Sequence, residues 1–422
     1  MEYGLIGYPL KHSFSKEIHT LIKEYLHIDS YDYELKELKE EELDLFFKNK
    51  KFKAINVTIP YKEKVIKYLD YIDPNAESIG AINTIVNKNG RLYGYNTDYL
   101  GMMALIKENS IEIKNRKVLI LGTGGTSKTA YLVAKNLGAA CIVKASRKKV
   151  EKTLDYREIY EKYSDVEIII NTTPVGMYPN NDDVLIDFTK LNKINAYIDV
   201  IYNPINTKMA ILARNNNIKA VNGLYMLVSQ AIYAFCYFKD LQLDDNKIAA
   251  ITSTIYKNIL KNKLNIALIG MPTSGKTTIG GLLAKDLNKE FIDTDDLIKK
   301  EINMEIKDYI NKFGEDKFRE IETKIIKEVS KKQNQVIATG GGCILRNENI
   351  LLLHQNSKIY FINRSLDNLQ ISYDRPLSAS LDDLKKRYDE RIDLYLRYND
   401  KEIDGNKNIE EVKNAIMEDY NG

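Results

Sequence analysis

A chain of 422 residues is too long for one ordinary domain and points to two or three, each large enough to bury its own core. Its 62 Lys and Arg nearly balance its 59 Asp and Glu, so no overall field draws it to nucleic acid or to an anionic membrane, and basic residues must act locally. Cys141, Cys236 and Cys343 lie far apart without paired spacing, which excludes a disulfide framework and a zinc site and fits a reducing, cytoplasmic setting.

Met1 leads almost directly into the strand-like Tyr3-Gly4-Leu5-Ile6-Gly7, with no basic leader and apolar core, so no export signal is expected. From there short apolar runs alternate with longer helical periods, the pattern of parallel sheets covered by helices. Within residues 1–100 four polar clusters follow or interrupt apolar runs: Gly7 to Ser15, Asn56 to Lys62, Gly80 to Thr84, and Tyr95 to Asp98. Hydroxyls, an amide, an ammonium and a carboxylate converging at strand ends suit a small polyhydroxylated acid. An ammonium such as Lys62 can neutralise and protonate the alkoxide left when a hydride reaches a ketone. Against that, one lysine in a Lys-rich chain is ordinarily a surface charge, and Asp98 has a simpler use as N-cap of the helical Tyr99–Lys107 run.

Lys117-Val-Leu-Ile-Leu121 runs into Gly122-Thr-Gly124-Gly125-Thr126-Ser127. A glycine-rich turn between strand and helix lets bare backbone and a helix N-terminus meet a pyrophosphate, although Ser127 departs from the usual small third residue. The next strand, Ala140–Lys144, ends in Ala145-Ser146-Arg147-Lys148-Lys149, where an NAD enzyme would place an acid. A guanidinium and hydroxyls there suit the 2′-phosphate, so NADP(H) is expected over NAD.

These four clusters and the turn closely resemble shikimate dehydrogenases over residues 1–260. The resemblance implies that Ser13 and Ser15 hold the substrate carboxylate, that Thr58, Asn83 and Gln230 bind ring hydroxyls, and that Lys62 and Asp98 form the catalytic pair, both also touching substrate. It extends to Asn171-Thr-Thr-Pro-Val-Gly-Met177 beside the nicotinamide, to Asp199-Val-Ile-Tyr202-Asn203-Pro204 near the substrate, and to Asn222-Gly223-Leu-Tyr-Met-Leu-Val-Ser-Gln230, with Gly223 near the cofactor. One departure is Lys16, where relatives often carry Pro.

Gly223–Phe238 is apolar but too short to span a bilayer, and Ser229 and Gln230 interrupt it; a buried core helix is expected. Ile259–Leu264 is the expected junction, with no Pro, Gly or Ser richness and therefore stiff.

Asn265-Ile-Ala-Leu-Ile269 then leads into Gly270-Met-Pro-Thr273-Ser274-Gly275-Lys276-Thr277-Thr278, a full P-loop pattern. Its amides cradle the phosphates of ATP, Lys276 reaches the outer phosphates, and Thr277 coordinates Mg. Phe291-Ile-Asp293-Thr-Asp295 is expected to end a strand with both carboxylates on one side, Asp293 supporting Mg and Asp295 taking the acceptor proton; the plainer reading is a solvated helix cap.

Phe318-Arg319-Glu-Ile-Glu322, Val336-Ile-Ala-Thr-Gly340-Gly341-Gly342 and Glu390-Arg391-Ile-Asp-Leu-Tyr395 complete a set that resembles shikimate kinases over residues 264–422. By that likeness Arg319 and Arg391 clamp the shikimate carboxylate, Asp295 and the Gly340–Gly342 backbone hold hydroxyls, and Arg375 belongs to a lid over ATP. Leu369–Tyr373 lacks an arginine that many relatives carry, so the lid looks short.

The expected architecture is α/β throughout. A substrate domain spans 1–100, completed by helices within 223–261; a Rossmann-like NADP domain spans 101–222; and a P-loop kinase domain with a parallel sheet spans 264–422. The two resemblances together imply consecutive steps, NADPH-dependent reduction of 3-dehydroshikimate to shikimate and ATP-dependent phosphorylation of shikimate, in a monomer or homodimer that binds no nucleic acid or membrane. The competing reading makes one half a catalytically silent shikimate-binding regulatory module.

Overall fold

The computed structural model describes residues 1–10, 13–147, 153–369 and 381–421, with the side chains of 381–383 excepted. The chain divides into two compact units, Met1–Asn203 with Leu212–Ile259, and Pro204–Ile211 with Leu260–Gly422.

The first unit carries two sheets. The N-terminal sheet has the order β2 (Tyr33–Glu37), β1 (Tyr3–Gly7), β3 (Ala54–Val57), β5 (Thr84–Lys88), β6 (Arg91–Tyr95) and β4 (Tyr71–Ile72). β1, β2 and β3 run parallel, while β5 is antiparallel to both β3 and β6. Register therefore sets Asn56 opposite Thr84, and Thr84 opposite Tyr95. The C-terminal ends of β1, β3 and β6 meet the start of β5 at one edge, so the described residues of the four polar clusters gather there.

The second sheet is wholly parallel in the order β11 (Lys219–Val221), β10 (Ala196–Asp199), β9 (Ile168–Asn171), β7 (Lys117–Leu121) and β8 (Cys141–Ala145). The chain reverses winding between β7 and β9, which opens a crevice at their C-terminal ends, the usual ligand position in such sheets. The glycine-rich turn after β7 and Thr172-Thr173 after β9 both lie at that crevice.

Helices α1 (Ser15–Tyr25), α2 (Leu43–Asn49), α3 (Pro74–Ile79), α4 (Thr97–Glu108), α5 (Gly125–Asn136), α6 (Tyr156–Lys162), α7 (Lys208–Asn215), α8 (Leu224–Lys239) and α9 (Asp245–Lys263) follow in chain order. The apolar 223–238 stretch is the buried core helix expected, since most of α8 is inaccessible. A Cβ on Gly101 of α4 would lie 2.6 Å from the Met226 carbonyl oxygen of α8; glycine lets these two helices touch, and α8 thereby delivers Gln230 to the substrate edge. Among the described residues no helix is long and apolar enough to cross a membrane.

The second unit has a parallel sheet in the order β13 (Glu290–Asp293), β14 (Gln335–Ala338), β12 (Asn265–Ile269), β15 (Ser357–Asn363) and β16 (Lys401–Asp404). Alternate residues serve opposite cores, Ala267, Ile269, Ile359 and Phe361 on one face and Ile266, Leu268, Tyr360 and Ile362 on the other, as the two-residue period of a strand requires. Its helices are α10 (Lys276–Leu287), α11 (Thr294–Ile302), α12 (Ile306–Phe313), α13 (Glu315–Ser330), α14 (Asn347–Asn356), α15 (Leu381–Tyr398) and α16 (Ile409–Asn421).

At the expected junction α9 runs to Lys263, with Leu264 alone before β12. The Lys261 and Leu264 carbonyls, left open by the helix end, accept from Lys289 Nζ at 3.0 Å each and from the Tyr420 hydroxyl at 2.6 and 2.8 Å. Pro204–Ile211, inside the stretch expected to bind NADP, gathers with the second unit, where the Asn206 amide donates to the Gln355 carbonyl at 2.8 Å.

Candidate functional site

In the first unit Lys62 follows β3 and Asp98 opens α4, and their side chains pair at 2.5 Å, both mostly shielded from water. The cap of α4 is Asn96, whose Oδ1 accepts from the Tyr99 amide at 3.1 Å. Asp98 is thus two residues further in and available to the lysine instead of serving as the cap. Asn83, Thr97 and Gln230 form a buried cluster beside this pair. Asn83 Nδ2 donates to Thr97 Oγ1 at 3.0 Å and reaches Gln230 Oε1 at 3.5 Å, while Thr97 Oγ1 donates to Gln230 Oε1 at 3.3 Å.

The Ser15 amide donates to Ser13 Oγ at 3.2 Å where α1 begins. Between the two serines, Phe14 packs against the Tyr202 ring with centroids 5.2 Å apart, so Tyr202 adjoins the serine turn, and burial raises its phenol pKa. Thr58 sits against Gly7, where a Cβ would lie 2.4 Å from its methyl. Gly223 starts α8 at a similarly close approach, 2.1 Å from a would-be Cβ to the Val200 oxygen.

A cavity of about 1140 Å³ joins Lys62 to the glycine-rich turn, to Ser146 and Arg147 after β8, and to Thr172 and Thr173. The turn fits a dinucleotide: Gly122 has φ +110°, and Gly124 leaves open space where a side chain would stand, directly ahead of the α5 N-terminus. Thr126 lines the same cavity. Ser127 is buried and its hydroxyl donates to the Gly122 carbonyl at 2.8 Å, so this departure from the usual motif holds the turn from within. Ser146 is buried beside Thr153, their hydroxyls 3.4 Å apart, whereas Arg147 is exposed to the cavity. Lys148 lies outside the described residues. Tyr156, which the sequence did not single out, lines the cavity within electrostatic reach of Arg147. Behind the Thr172-Thr173 loop, buried Asn171 accepts from Thr173 Oγ1 at 2.8 Å and donates to Asp199 at 3.1 Å.

In the second unit Gly270, Thr273 and Gly275 have φ of +152°, +66° and +97°, the turns that wrap a P-loop around phosphates. Ser274 and Lys276 are buried, and Lys276 Nζ donates to the Gly270 and Met271 carbonyls at 2.9 and 2.8 Å. Thr277 and Thr278 are exposed at the start of α10. The Thr277 hydroxyl donates to Asp293 Oδ2 at 2.8 Å, a hydroxyl and carboxylate of the right hardness for Mg.

The two carboxylates do not alternate along one strand, contrary to expectation. β13 stops at Asp293, whose Oδ1 accepts from the Asp295 amide at 3.0 Å and caps α11, so Asp295 stands on the first helical turn.

Each glycine of Gly340–Gly342 is approached by a different element. A Cβ on Gly340 would lie 2.5 Å from Asp295 Oδ1, one on Gly341 2.8 Å from Pro272 of the P-loop, and one on Gly342 within the Arg319 guanidinium. Arg391 Nη1 donates to the Gly341 carbonyl at 3.2 Å, and the Tyr395 hydroxyl, one turn along α15, donates to the same oxygen. The sequence-derived acid, arginines and glycines therefore share one centre. Arg375 lies outside the described residues.

Glu322 was not singled out. It is fully buried, accepts from Arg319 Nη1 at 2.8 Å, and interacts electrostatically with Asp295 and Arg391. Burial raises its pKa, outweighing the attraction of Arg319. The i,i+3 spacing to Arg319 was visible; its burial was not.

Family comparison agrees with these two sites. The shikimate dehydrogenase substrate binding domain model matches residues 5–85, and the shikimate kinase model matches residues 272–421. The chain is 39% identical over 269 residues to a shikimate dehydrogenase (NADP(+)) of Clostridium beijerinckii, covering 61% of this chain and 99% of that protein. It resembles a chorismate mutase/shikimate 5-dehydrogenase fusion from Clostridium acetobutylicum (TM-score 0.56, 35% identity, 61% of this chain and 97% of that one). A shikimate dehydrogenase solved in complex with NADP+ is similar at TM-score 0.53 and 34% identity, covering 61% of this chain and 95% of that one. The chain belongs to the shikimate dehydrogenase family and carries a shikimate kinase domain in its C-terminal part.

Proposed function

We propose that the chain catalyses two consecutive steps, reduction of 3-dehydroshikimate to shikimate with NADPH and phosphorylation of shikimate with ATP. The observation that carries this is that each unit sets substrate-holding side chains against its own nucleotide-binding turn: Lys62 and Asp98 at the Gly122–Thr126 cavity, and Asp295, Arg319 and Arg391 at Gly340–Gly342 beside the P-loop.

NADPH supplies the hydride when bound. Gly122, Gly124, Gly125 and the α5 N-terminus would hold its pyrophosphate and Arg147 its 2′-phosphate. Lys62 neutralises and protonates the oxygen that gains charge, Asp98 holds the ammonium in place and shares a substrate hydroxyl, and Ser13, Ser15 and Tyr202 hold the carboxylate. In the second site Lys276 and the loop amides bind the phosphates of ATP, Thr277 and Asp293 would hold Mg, and Asp295 takes the proton of the attacking hydroxyl. Arg319 and Arg391 hold the carboxylate, for which a planar guanidinium is suited. The three cysteines, free in the structure, fit the reducing cytoplasm where this chemistry would run.

The test is to supply the purified chain with 3-dehydroshikimate, NADPH and MgATP and to identify the product by mass. Shikimate 3-phosphate is expected; accumulation of unphosphorylated shikimate, or no reduction, removes the corresponding half of the proposal.

A further inference from the structure

Gly340 to Cys343 form a turn, closed by the Cys343 amide donating to the Gly340 carbonyl at 3.1 Å. Its third residue, Gly342, has φ −102° and ψ 0°, and Gly341 is not among the residues of positive φ, so the turn is of type I. Glycine at the third position ordinarily favours type II, in which the middle peptide is turned over and that residue takes a positive φ. Two side chains of α15 account for the difference. The Gly341 carbonyl, which belongs to the middle peptide, accepts from Arg391 Nη1 at 3.2 Å and from the Tyr395 hydroxyl; turning the peptide over would forfeit both bonds and bring an N–H toward two donors. Tyr395 is fully buried, its ring stacked on Phe361 with centroids 5.0 Å apart and planes 6° apart, and burial raises its phenol pKa, so its proton stays in place to be donated. The peptide is planar and trans, so a carbonyl held toward α15 sends the Gly342 N–H the opposite way. Gly341 and Gly342 are buried, and neither N–H meets an acceptor among the described residues, whereas a buried backbone donor ordinarily has a partner. The turn that carries these open donors is bordered by Asp295 at Gly340 and by Arg319 at Gly342.

We propose that Tyr395 is a positioning residue: together with Arg391 it holds the Gly341–Gly342 peptide in one of its two orientations, so that the Gly342 N–H is a fixed donor to an oxygen of the bound acid. The proposal rests on the reading of this centre as the shikimate site of the kinase. Arg391 also serves the substrate carboxylate in that reading, which leaves Tyr395 as the donor committed to the turn alone. The bare glycine at 342 makes such a lock necessary, because a residue with a side chain would resist the turned-over form by itself.

The experiment uses the full chain and steady-state phosphotransfer from MgATP to shikimate, beside thermal melting. Tyr395→Phe keeps the ring on Phe361 and removes only the donor; KM for shikimate should rise about threefold to tenfold, with KM for ATP and the dehydrogenase rate within about twofold. Phe361→Leu loosens the same ring but keeps its hydroxyl, so it should lower the melting temperature more than Tyr395→Phe and raise that KM less; the reverse order would make Tyr395 a packing residue only. Arg319→Lys separates the two readings. If it weakens shikimate while Tyr395→Phe changes only the melting temperature, the lock is wrong; if neither moves the shikimate KM, the acid is not held at this centre. Should Tyr395→Phe fail to fold, the unaltered chain labelled at the carbonyl carbon and nitrogen of glycine decides by NMR, since only Gly–Gly peptides, Gly341–Gly342 among them, give the coupled signal. Shikimate should move the Gly342 amide proton downfield, and an unmoved proton overturns the proposal.

Discussion

In the dehydrogenase half the polar groups around Asn83 are mostly neutral and hold one another, with Lys62–Asp98 as the ion pair at their edge. In the kinase half the groups around Gly340–Gly342 are charged, and they rest on bare backbone: Asp295, Arg319 and Arg391, with Glu322 buried among them. The two constructions fail differently. A neutral network fixes where protons point and tolerates a shift of a few tenths of an ångström, since each bond is worth only about 1 kcal/mol net. Charges seated on glycine tolerate no added atom, because the space a methyl would need is already a guanidinium or a carboxylate.

The largest effects expected are reciprocal. Lys62→Ala should lower NADPH-dependent reduction by about 10²–10⁴-fold and leave shikimate-dependent ADP release intact, and Lys276→Ala should do the reverse by a similar factor. Parallel assays on each variant read both; a variant that silenced both activities would show that the halves are not chemically independent. Next, Arg147→Asp should weaken NADPH by about 100-fold with little effect on NADH, since it exchanges a cation for an anion facing the 2′-phosphate; equal loss for both nucleotides removes Arg147 from that role.

Gly342→Ala sharpens the comparison directly. Its methyl would enter the Arg319 guanidinium, so KM for shikimate in phosphotransfer should rise about tenfold while KM for ATP stays put. An unchanged shikimate KM would mean that Arg319 does not hold that acid.

The smallest effect concerns pH. Burial lowers the His19 pKa from 6.5 to about 3, so below pH 6.5 the unfolded chain takes up a proton that the folded chain refuses. Stability from this source is complete above pH 6.5 and falls as pH drops toward 3, by at most about 1.4 kcal/mol per pH unit. His19→Gln should flatten that slope in denaturant titrations at pH 7.5 and 5; an unchanged slope would assign the acid sensitivity elsewhere.

What the sequence disclosed well was local. The turns at Gly122–Gly125 and Gly270–Lys276 are written in consecutive residues, and so are the strands that precede them. What it disclosed poorly depends on distant partners. Thr84 and Thr97 read as ordinary hydroxyls until β3, β5 and β6 are set in register. Glu322 reads as the surface half of a helical ion pair until α13 is packed against the sheet. Asp293 and Asp295 read as alternate strand residues because the point where β13 gives way to α11 is decided by a side-chain cap, one bond that no periodicity reveals. The gathering of Pro204–Ile211 with the second unit has no signal in its own composition.

The clamp on the end of α9 bears on how the gene can be divided. A severed C-terminal half beginning at Asn265 would discard the Lys261 and Leu264 oxygens, leaving the Lys289 ammonium with Asn334 Oδ1 of its three acceptors and the Tyr420 hydroxyl with neither of its two. Cutting between Ile259 and Leu260, inside a helix, retains all four bonds but still parts the second unit from Pro204–Ile211, whose Asn206 N–H donates to the Gln355 carbonyl, so no single cut separates the two units cleanly.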